Sequence, residues 1–225
     1  MKFFILDTST SVYSMAIGDG SGILAQDGGV AGPTTAARLA PAVSALFSGA
    51  RLTPADMDFF AVTVGPGAFT GLRVGIAMVK GLALATGKPV VPISSLALLA
   101  MNARQSQIPV SPMFDARKGE VYAAVYDFRV GREPVVSEAA ADPALFLRGI
   151  EGSALFLGDG ALRYRELIEE IMGGRAQFAE GDLHHPRASA GTELALEVFA
   201  RGGGTPPAQL LPRYLRLSEA ELSRR

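Results

Sequence analysis

The chain contains no cysteine. Disulfides, thiolate zinc sites, cysteine nucleophiles and iron–sulfur clusters are thereby excluded. Net charge is nearly absent as well: 21 Lys and Arg stand against 22 Asp and Glu, giving −1, and only 19% of residues are charged. Such a balance argues against a dedicated nucleic-acid-binding domain, whose footprint is a basic surface. It leaves room for a local patch, because 17 of the 21 basic residues are arginine. Histidine is confined to His184 and His185. Neighbours on a strand point to opposite faces, and no further ligands stand at useful spacing, so no metal site is expected. Long apolar runs are missing too: the nearest, Val74–Ala85, is interrupted by Lys80 and Gly81, so no membrane span is expected. The opening Met1–Leu6 imitates a signal peptide until Asp7 ends the run. A soluble, cytoplasmic protein is expected.

What is present is a globular chain of 225 residues with 48% apolar content, long enough to bury a substantial core. Phe3–Asp7, Val12–Gly18 and Ile23–Ala25 read as strands, and Thr34–Gly49 as a helix. Thr53-Pro54 is a helix start. Phe59–Val64 is a continuous apolar run suited to a strand covered on both faces. A helix over Thr70–Thr86 ends at Gly87, Pro89–Ile93 is a strand, and Ser94 or Ser95 caps a helix to Arg104. The order then restarts. Val110–Phe114 ends in Asp115 as the first strand ends in Asp7, 108 positions earlier. Val121–Tyr126 and Val135-Val136 follow as strands, then a helix at Pro143–Arg148 and a strand at Ala154–Leu157. Helices close the pattern near Ala161–Met172 and Ser189–Arg201. Two βββαβα runs predict a duplicated α/β fold of the actin-like (RNase H-like) type, with halves 1–104 and 105–225 and a cleft between them.

Three segments carry candidate chemistry. In Asp7-Thr8-Ser9-Thr10-Ser11 a carboxylate at a strand end is followed by hydroxyls and free N–H groups, a setting that holds a phosphate or cation; these are also ordinary turn residues. The second is Gly65-Pro66-Gly67-Ala68-Phe69-Thr70-Gly71-Leu72-Arg73-Val74-Gly75, between a buried strand and a helix N-terminus. It lacks the Gly-Lys-Ser/Thr of a P-loop and the glycine spacing of a dinucleotide fingerprint. The third, Asp115-Ala116-Arg117-Lys118-Gly119-Glu120, is a hairpin with Gly119 in the left-handed region, or faces Asp7 across the cleft and shares a metal or water with it. The closing Arg213, Arg216, Arg224 and Arg225 can touch phosphate; Glu219 and Glu221 favour a solvated tail. No His-Glu-x-x-His or Gly-x-Ser-x-Gly motif occurs, so a hydrolase has little support.

These segments carry a resemblance. Ile5-Leu6-Asp7-Thr8-Ser9, Val64–Gly75, Lys80-Gly81-Leu82-Ala83, Ser94-Ser95-Leu96 and Asp115–Tyr122 stand in the order and spacing of the TsaB family, and Pro212–Arg216 is similar to its closing motif. The resemblance spans nearly the whole chain. It implies a non-catalytic subunit of the bacterial machinery that forms threonylcarbamoyladenosine beside the tRNA anticodon. Its implied partner is the catalytic paralogue TsaD, joined by the ATPase TsaE, with tRNA reached indirectly and a homodimer forming when the partner is absent. The segment Gly32–Pro41 lacks the histidine that family members often carry before Leu-x-Pro, and Ser94 and Ser95 stand where the catalytic paralogue has metal histidines.

The resulting expectation has no catalytic residue, no metal and no required cofactor. Asp7, Thr8, Ser9, Gly65, Gly67, Asp115, Arg117 and Glu120 line a relic nucleotide cleft that binds ATP or ADP weakly or not at all. Arg38, Gly71, Arg73, Gly75 and Lys80 belong to a partner interface, with Gly71 and Gly75 leaving a groove for another helix. The rival readings are a small-molecule kinase or ATPase of the same fold, and a peptidase.

Overall fold

The computed structural model describes residues 1–32 and 35–216. Thr34, where the first helix was expected to start, and Glu219, Glu221, Arg224 and Arg225 lie outside them.

The described chain forms two compact units, Met1–Leu98 with Pro186–Pro212, and Leu99–His185 with the residues from Arg213 on. The first holds a five-stranded sheet in the order β3-β2-β1-β4-β5, built from β1 (Phe3–Asp7), β2 (Val12–Asp19), β3 (Gly22–Val30), β4 (Phe59–Gly65) and β5 (Val90–Ser94). β1, β2 and β3 form an antiparallel meander, while β4 and β5 add in parallel on the other side of β1. α1 (Thr35–Gly49) and α2 (Phe69–Thr86) cover one face. There Leu39, Val43, Phe47, Ile76, Val79 and Ala83 pack on Phe4, Leu6, Phe60 and Val62. α3 (Ser95–Met101) follows β5 directly.

The opposite face of β1 and β4 is equally apolar, with Phe3, Ile5, Phe59 and Ala61 fully buried. Its cover comes from the far end of the chain. α7 (Thr192–Ala200) supplies Ala195 and Phe199, and the Phe59 and Phe199 rings stack 4.4 Å apart. The expected division at residues 104/105 therefore differs from the observed units in two segments, the short stretch Leu99–Arg104 and the larger Pro186–Pro212. Burying Phe3 and Phe59 requires a second layer, and α7 provides it.

The second unit repeats the topology as β10-β9-β6-β7-β8, from β6 (Val110–Arg117), β7 (Glu120–Tyr126), β8 (Pro134–Ala141), β9 (Ala154–Leu157) and β10 (Ala176–Phe178). α4 (Pro143–Arg148), α5 (Asp159–Arg163) and α6 (Arg165–Met172) accompany this sheet, and Phe146, Leu147, Ile168 and Met172 pack on Met113, Val121, Ala123 and Phe156. The single helix expected near Ala161–Met172 starts at Asp159 and breaks at Tyr164.

α2 is the one described helix long and apolar enough to cross a membrane by length and composition. It lies instead along the first sheet, burying Leu72, Gly75, Ile76, Val79 and Ala83. It ends at Gly87 with φ 69°, a left-handed cap.

Candidate functional site

Alternation along β1 puts Asp7 on the face of Phe3 and Ile5. The neighbouring parallel strand brings Thr63 beside it, and the Thr63 hydroxyl donates to Asp7 Oδ1 at 2.7 Å. The Ser9 N–H donates to the same oxygen at 3.3 Å. Asp7 and Thr8 are 0% exposed and Ser9 is 1% exposed. Among the described residues, Asp7 Oδ2 and Ser9 Oγ have no hydrogen-bond partner. Burial pushes the Asp7 carboxyl up to about 6, against the hydrogen bonds from Thr63 and Ser9, which favour the charged form. The turn Ala188–Gly191 packs against β1 and β2; Ala188 is fully buried and donates its N–H to Ser14 Oγ at 2.9 Å.

The glycine-rich segment presses on this turn. The Thr8 hydroxyl donates to the Gly71 carbonyl at 2.8 Å, and the Ala68 N–H donates to the Ser9 carbonyl at 2.7 Å. A β-carbon on Gly71 would overlap the Thr8 carbonyl oxygen, and one on Gly75 the Thr8 hydroxyl. Gly67 meets the Ser9 carbonyl in the same way. This corrects the expected partner groove at Gly71 and Gly75: those glycines lie on the sheet-facing side of α2, and the chain's own Thr8 fills the space. The open groove lies farther along the helix, lined by Val74, Ala77, Met78, Gly81 and Leu82. A β-carbon at Gly81 would meet nothing within 4 Å. The i, i+3, i+4, i+7, i+8 spacing of these five residues was the available sequence signal. Arg38 and Arg73 are exposed and Lys80 is half-buried.

In the second unit Asp115 is held by cations. Arg163 donates to its Oδ2 at 3.1 Å, and the Arg117 guanidinium stands 3.6 Å from that oxygen. The Arg117 N–H closes a local turn onto Oδ1 at 2.9 Å. The Asp115 N–H donates to Asp159 Oδ1 at 3.2 Å, and burial raises the Asp159 carboxyl above its ordinary value. Lys118 and Gly119, at φ 53° and 81°, make the hairpin turn, and Arg117 at φ 64° sits in the adjoining register shift. Glu120 pairs with Arg216 at 3.2 Å, and Arg213 donates to Glu138 at 2.8 Å, where the Tyr126 hydroxyl donates to the second oxygen. The two closing arginines that are described thus hold carboxylates of their own unit. Thr63, Asp159, Arg163 and Glu138 were not singled out from sequence, since nothing local marks residues that meet their partners only through strand pairing, the packing of α5 on β6 or the return of the closing segment.

Both ring nitrogens of His184 are engaged. Nδ1 accepts from the Gly158 N–H at 3.1 Å, so Nε2 carries the hydrogen given to the Ala179 carbonyl at 2.8 Å.

The chain matches the TsaD family, tRNA N6-adenosine threonylcarbamoyltransferase, over residues 15–223. It is 32% identical to the tRNA threonylcarbamoyladenosine biosynthesis protein TsaB of Bacillus subtilis, covering 98% of this chain and 96% of that one. A crystal structure of a Pseudomonas aeruginosa protein, described as similar to the peptidase YEAZ, superimposes with TM-score 0.82 at 33% identity, over 96% of this chain and 99% of that one. Component A of the Acidaminococcus fermentans (R)-2-hydroxyglutaryl-CoA dehydratase shares the fold at TM-score 0.56 and 13% identity, over 89% of this chain and 99% of that one.

Proposed function

This chain belongs to the TsaD family and, within it, to the TsaB proteins, and we propose that it serves tRNA threonylcarbamoyladenosine formation as a non-catalytic subunit that docks a TsaD-like paralogue. The observation that carries the docking role is the outer face of α2. Ala77, Gly81 and Leu84 are exposed there, Leu84 by 67%. Beside them Val74, Met78 and Leu82 border an open groove. Small residues flanked by apolar ones let a second helix approach closely. The TsaE-like ATPase and tRNA are reached through the paralogue, in the cytoplasm.

The residues support the absence of catalysis by this chain. Neither nitrogen of His184 is available to a hydroxyl, so this histidine does not fit the role of a serine peptidase's base. The Asp7 carboxylate is fully buried, which favours a structural role for the turn over a nucleotide site. The rival kinase or ATPase needs that carboxylate open to a nucleotide.

Co-purification with the paralogue from the same organism tests the reading. The wild-type chain should bring the paralogue down, and Gly81→Trp, at a position with open space around it, should lose it while circular dichroism stays unchanged. Normal pairing by Gly81→Trp would place the interface elsewhere. The isolated chain should hydrolyse neither ATP nor peptide; ATP turnover abolished by Asp7→Ala would favour the kinase-like reading.

A further inference from the structure

We propose that the polar face of the second sheet under Arg213–Arg216 is an exchangeable site: it holds this segment of its own chain and accepts the same segment from a second copy. Alternation along β7 puts Glu120, Tyr122 and Tyr126 on one face. Glu138 of β8 joins them. Its Oε1 accepts from the Tyr126 hydroxyl at 2.7 Å and its Oε2 from Arg213 at 2.8 Å. The Arg216 guanidinium stands 3.2 Å from Glu120 Oε2 and donates to the Ala116 carbonyl at 3.4 Å. Burial raises the Tyr122 hydroxyl above its ordinary value, while Arg216 lowers it and Glu120 raises it, so this ring stands near the Glu120 pair. The face thus reads two guanidiniums at i and i+3, one of them on a carboxylate whose side chain is 5% exposed.

The segment is held by charge more than by burial. Leu210 before it is 2% exposed, whereas none of residues 211–216 is buried and Leu211 is 71% exposed. The segment forms no helix or strand, and its two arginines carry the ion pairs that fix it. Such pairs weaken as salt screens them. Pro212 fixes its own φ and keeps Leu211 extended, so a released segment loses little freedom on rebinding. Withdrawing Arg213 takes the paired cation from a largely buried carboxylate, which is costly. An arginine at the same spacing restores the pair, and a second copy supplies it with the identical sequence. Exchange of an identical element makes a dimer at low cost, since the contacts are the same in both forms.

Exchange is read on full-length chains carrying Gly81→Trp, so that the α2 face does not contribute. Arg213→Gln/Arg216→Gln spoils the segment and leaves the site; Glu120→Gln/Glu138→Gln spoils the site and leaves the segment. In analytical ultracentrifugation at about 50 mM salt each should sediment as a monomer. Their mixture should form a one-to-one dimer, about tenfold or more tighter than either self-association. At about 500 mM salt, where exposed charges are strongly screened, that dimer should dissociate. Circular dichroism checks the folds; where a double variant unfolds, Arg213→Gln mixed with Glu138→Gln carries the same test. No dimer from two folded variants, or a dimer indifferent to salt, would overturn the exchange. Concentrated Gly81→Trp chain taken to about 500 mM salt and returned to about 50 mM should hold several times more dimer than before. An unchanged dimer fraction would overturn it as well.

Discussion

At Asp7 a single carboxylate shares its sheet face with Phe3, Ile5, Phe59 and Ala61, with one oxygen unpartnered among the described residues. Its folded value of about 6 lies above the ordinary 3.8. A raised carboxyl contributes its stability below pH 3.8 and loses it as pH rises through 6, where the folded state must carry the buried charge. Asp7→Asn removes that cost, worth about 3 kcal/mol at most for a shift of this size. The variant should melt several degrees above wild type at pH 8 and close to it at pH 4; an equal difference at both would show that the charge is not the cause. A second residue-scale test separates the glycines. Gly71→Ala and Gly75→Ala should each cost roughly 1–3 kcal/mol in denaturant unfolding. Thr8→Ala should rescue Gly75→Ala, whose obstacle is the Thr8 hydroxyl, but not Gly71→Ala, whose obstacle is a backbone carbonyl. Rescue of both, or of neither, would contradict the packing. The glycines were conspicuous in the sequence, but their purpose was not. The spacing of Gly71 and Gly75 marks a close approach on one side of a helix, and only strand order reveals that this side meets Thr8.

Among the elements, β1, α2 and β4 were legible because their signals are local: an apolar run ended by Asp7, a Gly87 cap, a run buried on both faces. β10 was not, since a three-residue strand (Ala176–Phe178) has no periodicity to read and exists through its pairing with β9. The closing segment shows the same limit. Arg213 and Arg216 read as solvated or phosphate-facing, whereas their carboxylate partners, Glu138 and Glu120, are 75 and 96 positions away. The Glu138 side chain is 5% exposed, so Arg213→Ala takes the paired cation from a largely buried carboxylate, to which the Tyr126 hydroxyl still donates, and should cost about 1–3 kcal/mol by thermal melting. Glu138→Gln in the same chain should recover part of that. A neutral Arg213→Ala would mean the pair contributes nothing.

Over the whole molecule, the duplication was readable from the repeated meanders, and both sheets carry it. The return of α7 to the first unit was not readable, because its apolar residues suit either sheet and the choice depends on which face lacks cover. The same scale holds the central claim, that this chain assists a reaction it does not perform. The most direct measurement reconstitutes threonylcarbamoyladenosine formation on tRNA with the paralogue, the ATPase and the threonylcarbamoyl adenylate, with this chain added or omitted. Modification should require the chain, persist with Asp7→Asn, and be lost with Gly81→Trp. Full modification without the chain, or undiminished modification with Gly81→Trp, would contradict the account.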